Sequence, residues 1–200
     1  FPIVALAGYT QSGKTTFFNR LTSEHKTVGL GPFTTLSTFA RKVRLGASKD
    51  MEFILVDSIG FIEDMHPTIV KAFSATLGEI AHSDLILLFV DAGEESQIIA
   101  RRCSSMNKIL QEIDANGQVI VCANKIDLVE GGKLDGVLAA IREKFIGTVV
   151  VPISALTGEN LSEVLAVVET EITKVKPTPR LPVTSAPTKS ATGSQWASQP

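Results

Sequence analysis

Ile3-Val4-Ala5-Leu6-Ala7-Gly8-Tyr9-Thr10-Gln11-Ser12-Gly13-Lys14-Thr15-Thr16 sets the pattern G-x-x-x-x-G-K-[ST] between an apolar run and a helix-like segment. An apolar strand feeding a Gly-rich turn aims successive backbone N–H groups into a concave nest, and the helix N-terminus that follows adds positive dipole. That geometry suits phosphate oxygens. Lys14 supplies a point charge for the terminal phosphates, and the Thr15 hydroxyl is the right donor for Mg²⁺. Gly8, Tyr9, Thr10, Gln11, Ser12, Gly13, Lys14, Thr15 and Thr16 are therefore the first candidate ligand contacts.

Outward from this loop, strand-like apolar runs alternate with segments of helical period, the signature of a sheet with helices on both faces. A helix from about Lys14 carries Phe17, Phe18 and Leu21 on one side. Residues 24–38 are rich in Gly, Thr and Pro and read as a loop. The alternating stretch Phe39 to Leu45, with Lys42 and Arg44 on its polar face, suits an edge strand blunted by charge. Phe53 to Val56 is the next strand, and Ile69, Val70, Phe73, Leu77 and Ile80 recur at helical spacing. Leu85 to Val90 is apolar throughout and reads as a buried central strand. A long helix from about Glu95 is predicted to run to the stop signal Asn116-Gly117. Val119 to Val121 and Val149 to Val151 are the remaining strands. Leu134, Val137, Leu138, Ile141 and Phe145 mark one of the last two helices, and Leu161, Val164, Leu165, Val168 and Ile172 the other. The expected fold is α/β, a doubly wound and mostly parallel six-stranded sheet.

The chain has 200 residues, 44% of them hydrophobic and 20% charged, with a net charge of -2. That is enough length for one sizeable core, and the charge argues against the whole chain acting as a clamp on a polyanion. Cys103 and Cys122 make no disulfide framework and read as buried thiols in a reducing compartment, which points to a cytoplasmic protein. No apolar stretch approaches the roughly 20 residues of a membrane span, and none precedes the first strand as a signal peptide. The chain starts within a strand and without Met, so an excerpt of a longer protein is expected. From Lys176 the composition turns to Pro, Thr, Ser and Ala, too poor in apolar residues to offset the entropy of ordering. We expect a domain over 1–175 and a disordered tail or linker over 176–200. Trp196 in that tail reads as an unpacked residue.

Three further loops each follow a predicted strand. Asp57-Ser58-Ile59-Gly60 places a carboxylate where it can hold Mg²⁺ through water, and the Gly60 N–H within reach of a γ-phosphate. Asn124-Lys125-Ile126-Asp127 selects a base. The Asp127 carboxylate can accept from guanine's N1–H and exocyclic amine, a donor pair that adenine does not offer, so the wrong base leaves a carboxylate unpaired. Lys125 is expected along the base plane, with Asn124 tying this loop to the phosphate loop. Ser154-Ala155-Leu156 offers the Ala155 N–H to the guanine carbonyl. In this order the four loops meet at the C-terminal edge of a doubly wound sheet.

The set resembles the translation-factor-like GTPases, P-loop NTPases with a Ras-like G domain, over residues 1–175. Gly8-Tyr9-Thr10, Phe18 to Thr22, Phe33-Thr34-Thr35-Leu36, Asp57 to Ile62, Ala72 to Leu77, Ser83-Asp84 and Val90-Asp91-Ala92 are similar to the HflX family within the HflX/Obg group. The resemblance implies a GTPase that takes GTP/GDP and Mg²⁺, with Thr15, Thr35 and Asp57 as metal residues and Lys14, Thr35 and Gly60 as catalytic ones. Thr34 competes with Thr35, because the sequence does not set the register of that loop. It also implies a partner, the large ribosomal subunit, reached through an N-terminal domain that members carry ahead of the G domain, and a monomer. Two positions depart from the family pattern. Gln11 stands where Asn is usual, which puts potassium dependence in doubt, and Ser58 replaces a Thr. A signalling module of the Obg type with incidental hydrolysis is the rival reading, and Phe61-Ile62 speaks against Obg membership. An ATP-using P-loop enzyme such as a kinase is opposed by the loop at Asn124 to Asp127.

Phe61 follows Gly60, where Ras-like enzymes carry a Gln that orients water. A phenyl ring makes no such hydrogen bond. Either Phe61 points away into an apolar pocket and water is placed by another group, or it packs the core of the switch helix. The first reading implies weak basal turnover, since even Gln-bearing Ras manages only about 10⁻⁴ s⁻¹ unaided. Glu63, Asp64 and His66 read as solvated loop residues, and His82 as a helix cap.

Overall fold

The computed structural model describes residues 1–22, 39–45, 51–62, 68 and 74–175. Its strands are β1 (Ile3–Gly8), β2 (Phe39–Leu45), β3 (Met51–Asp57), β4 (Leu85–Asp91), β5 (Gln118–Asn124) and β6 (Val149–Pro152). Its helices are α1 (Lys14–Thr22), α2 (Ser74–Ala81), α3 (Ser96–Glu112), α4 (Leu134–Lys144) and α5 (Leu161–Lys174), with a 3₁₀ turn at Ile126–Leu128. The six strands lie in the order β2-β3-β1-β4-β5-β6. β2 pairs antiparallel with β3 and every other pair is parallel.

β4 shows why an unbroken apolar run belongs at the centre. Strand side chains alternate between faces. Leu85, Leu87 and Phe89 enter the core shared with Phe17, Phe18, Val164 and Val168, on the side of α1 and α5. Ile86, Leu88 and Val90 enter the opposite core with Leu77, Ile99, Cys103 and Ile141, on the side of α2, α3 and α4. Both faces of the strand are therefore covered and no polar residue can be placed on either. β2 is the contrasting case. Only Val43 and Leu45 are buried, while Lys42 and Arg44 pair with Glu52 on the neighbouring strand at 2.7 and 2.6 Å. This is the charged edge expected from the sequence.

One boundary differs. α3 ends at Glu112, four residues before Asn116, because Asp114 turns left-handed at φ 50 and the Ala115 N–H closes back on the Leu110 carbonyl. Asp tolerates that conformation better than most side chains. Gly117 has another role: a Cβ there would lie 2.7 Å from the Ser83 carbonyl oxygen, so glycine lets the chain pass close beneath β4. Of the expected helix over 69–80, Ile69, Val70 and Phe73 lie outside the described residues, as do the loop over 24–38, Glu63, Asp64, His66 and the segment 176–200.

Cys103 and Cys122 are buried and unpaired, and burial pushes the Cys103 thiol up to about 12. Neither is a nucleophile in this state. No helix among the described residues is long and apolar enough to cross a membrane.

Candidate nucleotide site

β1 delivers the chain to the C-terminal edge of the sheet, beside the point where strand order reverses. There the loop Gly8 to Lys14 bends through three positive φ values: 134° at Gly8, 62° at Gln11 and 99° at Gly13. A Cβ at Gly13 would sit 2.1 Å from Asn124 Nδ2. Only a glycine there leaves room for the side chain that joins the two halves of the site.

Lys14, 5% exposed, folds back over the loop. Its ammonium donates to the Gly8 carbonyl at 2.9 Å and the Tyr9 carbonyl at 2.7 Å. Burial lowers its pKa to about 8, against the opposing pull of the Asp57 carboxylate. The ammonium is thus held over the loop in a low-dielectric setting, where a phosphate can compete for it effectively. Thr15 Oγ1 donates to Asp57 Oδ2 at 3.1 Å, and Asp57 is fully buried at the end of β3. The hydroxyl and carboxylate make an oxygen-only pair, the ligand type that Mg²⁺ takes. Among the described residues no group of three His, Cys, Asp or Glu could hold a metal. One or two protein oxygens completed by phosphate are the usual Mg²⁺ arrangement, so the pair fits that ion.

After Asp57 the chain runs beside the phosphate loop. Ser58 Oγ donates to the Leu6 carbonyl at 2.6 Å, the Phe61 N–H to the Gly8 carbonyl at 2.9 Å, and the Thr10 N–H to the Phe61 carbonyl at 2.9 Å. Gly60 lies so near that a Cβ would be 2.8 Å from the Thr10 backbone. Phe61 is buried, as both readings of that residue require. Its ring is 1% exposed, edge-on to Tyr9 at 6.4 Å, in the core that holds Leu77 and Ile80 of α2. Phe61→Ala is expected to lower unfolding free energy by about 3–5 kcal/mol in urea titrations, the cost of emptying a buried ring. A loss under about 0.5 kcal/mol is what an exposed side chain gives and would contradict this placement.

Asn124 closes β5 and is 1% exposed. Its Nδ2 donates to the Ser12 carbonyl at 2.7 Å and its Oδ1 accepts from the Ala155 N–H at 2.9 Å. One side chain therefore joins the phosphate loop, the Asn124–Asp127 loop and the Ser154–Leu156 loop. The Ala155 N–H, offered to a base carbonyl by the sequence, is turned inward to Asn124 here. Asp127 is exposed, its Oδ1 accepting from Ser154 Oγ at 2.5 Å. Leu156 is 70% exposed, and Thr16 lies in the first turn of α1. The structure brings Lys14 to Gly8 and Tyr9, Thr15 to Asp57, Gly60 to Thr10, Asn124 to Ser12 and Ala155, and Ser154 to Asp127, while Thr35 and Thr34 lie outside the described residues.

Two supporting residues escape sequence reasoning. Asp91, at the end of β4, pairs with Lys125 Nζ at 2.5 Å and accepts from the Gly93 N–H at 2.9 Å. A carboxylate at a strand's C-terminal end was the available signal. Arg20 of α1 donates to the Ala155 and Leu156 carbonyls, and the likeness of the Phe18 to Thr22 stretch to the family assigned it no role. His82, read as a cap, has its Nδ1 2.6 Å from the Gly78 carbonyl oxygen in the last turn of α2.

A sheet of this order, with a phosphate loop at its reversal point and an asparagine strapping that loop to the next one, is the G-domain class of P-loop proteins. The family model of the 50S ribosome-binding GTPases matches residues 3–125. The chain belongs to that family, in its HflX branch. It is 41% identical over 131 residues to the GTPase HflX of Thermococcus kodakarensis, an alignment covering 65% of this chain and 29% of that protein. It is 38% identical over 165 residues to the GTPase HflX of Saccharolobus solfataricus, covering 80% and 46%. A crystal structure of a GTP-binding protein from Sulfolobus solfataricus in complex with GDP superposes with a TM-score of 0.67 at 30% identity, covering 86% of this chain and 53% of that one. The chain thus spans less than half the length of these two curated relatives.

Proposed function

We propose that this domain binds GTP and hydrolyses it to GDP and phosphate, and that the unit responsible is residues 1–175. The observation that carries the reading is the pair of hydrogen bonds of Asn124, donated to Ser12 on the phosphate side and accepted from Ala155 on the base side. It sets a phosphate subsite and a base subsite at one sheet edge, as a nucleoside triphosphate requires. Gly8 to Thr16 hold the phosphates, with Lys14 as the catalytic cation, and the Gly60 N–H and Thr35 face the γ-phosphate. Asn124, Lys125, Asp127, Ser154, Ala155 and Leu156 enclose the guanine. Thr15, Asp57 and Thr35 would hold Mg²⁺, which would supply charge neutralisation for the phosphates when bound. The GDP complex of the Sulfolobus solfataricus structure supports the base assignment.

Buried Phe61 orients no water, so turnover needs a group from elsewhere. In line with the family's description, that partner is the large ribosomal subunit, contacted by the longer protein. The test is GTP hydrolysis by this chain and by its full-length parent, with and without ribosomal subunits. The expected result is a basal rate well below the 1 s⁻¹ lower end of typical kcat values, raised by roughly tenfold or more only when parent and large subunits are combined. Basal turnover at tens per second would overturn it. A parent that subunits leave unstimulated would favour the signalling-module reading.

A further inference from the structure

Ala155 is gripped from both sides. Its N–H goes to Asn124 Oδ1 at 2.9 Å, and its carbonyl accepts from Arg20 Nε at 3.0 Å. Arg20 Nη2 also donates to the next carbonyl, Leu156, at 2.6 Å. Gly158 lets the guanidinium approach: a Cβ there would be 3.2 Å from Nη1. Arg20 stands six residues after Lys14 on the same short helix, α1. The helix whose first turn faces the phosphates therefore holds, through one planar guanidinium, the loop that backs the base.

We propose that Arg20 is a positioning residue that sets how long a guanine nucleotide stays bound. The inference rests on the guanine-nucleotide reading above and adds a residue to it. The bonds of Arg20 go to the backbone carbonyls of Ala155 and Leu156, so its part is to position that loop rather than to act in the chemistry. Its two charge-assisted hydrogen bonds fix the 154–157 loop, and with it the Ser154 hydroxyl that holds Asp127 Oδ1 at 2.5 Å. Hydrogen bonds to a charged donor are the stronger kind, and the fork geometry cannot be copied by an ammonium. Without the fork, the base side of the site opens while the phosphate side stays formed. Nucleotide then leaves faster but enters at the same rate.

The test is stopped-flow release of fluorescent mant-GDP from the wild-type chain, Arg20→Ala and Arg20→Lys. Arg20→Ala is expected to release about tenfold faster with its association rate within twofold of wild type. Arg20→Lys, able to reach one carbonyl, falls between. GTP hydrolysis at saturation stays unchanged, and millimolar ethylguanidinium slows release from Arg20→Ala again. A merely structural role moves association and saturated turnover as well and is not rescued, which overturns the proposal, as does release from Arg20→Ala within twofold of wild type. A wild-type chain that binds no mant-GDP removes the guanine reading itself and this inference with it.

Discussion

Asp127→Asn is expected to weaken GTP binding more than a hundredfold and to create affinity for xanthosine triphosphate. The carboxylate is exposed at the mouth of the site and steadied by Ser154 Oγ at 2.5 Å, so both of its oxygens are presented in a set orientation. Guanine offers it two donors. An amide has one acceptor and one donor, so its NH₂ meets guanine's amine and one bond is replaced by a repulsive contact. Losing charge-assisted bonds worth about 1.5–3 kcal/mol each accounts for a factor of about a hundred or more. Xanthine carries a carbonyl where guanine carries the amine, and the amide pairs with it. Competition of each nucleotide against mant-GDP measures both effects. Unchanged GTP affinity in this variant contradicts the assignment of Asp127 to the base.

Lys14→Met is expected to abolish measurable GTP binding while leaving the nucleotide-free protein as stable as wild type or more so. The reason lies in the buried ammonium, whose pKa is lowered from 10.5 to about 8. A depression of that size is a destabilisation of about 3 kcal/mol near neutral pH, where folded and unfolded chains both hold the proton. Between pH 8 and 10.5 the folded protein has released it and the unfolded chain has not, so stability rises with pH across that window. The sign is opposite to that of a lysine stabilised by a partner. Methionine fills a similar volume without charge, and no carbonyl is orphaned. The Gly8 carbonyl keeps the Phe61 N–H, and the Tyr9 carbonyl keeps the Ser12 N–H and hydroxyl. Chemical denaturation from pH 7 to 10.5 should therefore show an upward slope in wild type that is reduced in Lys14→Met. A wild-type stability that falls across that range contradicts the buried, lowered lysine. Retained GTP binding in Lys14→Met contradicts its phosphate role.

Much of this architecture is legible in the chain because its signals are local. β2 falls on Phe39–Leu45, as its alternation indicates, and β4 takes the longest apolar run. The phosphate loop, Asp57 and the loop from Asn124 each stand at the C-terminal end of a strand, so a pattern of a few residues carries both the backbone geometry and the chemistry. The end of α3 is a miss of the same local kind. Asn116-Gly117 is the stronger stop signal by composition, but Asp114 adopts the left-handed turn first, and the approach of Gly117 to Ser83 involves a neighbour more than thirty positions away. Thr35, set apart by family likeness, lies among residues outside the described structure, and its role stands as a proposal.

By itself the sequence determined the class of fold and the phosphate loop and pointed to the guanine reading proposed above, because each rests on residue types at short fixed spacing. Only the tertiary structure decided that Phe61 belongs to the core. It alone turned the Ala155 N–H inward to Asn124, placed Asp91 on Lys125, and set Arg20 against a loop 135 positions away. The physical reason is the same in each case. A hydrogen bond or ion pair between two parallel strands' ends, or between a helix and a distant loop, is chosen by how the sheet orders its strands, and no pattern within a few residues carries that order.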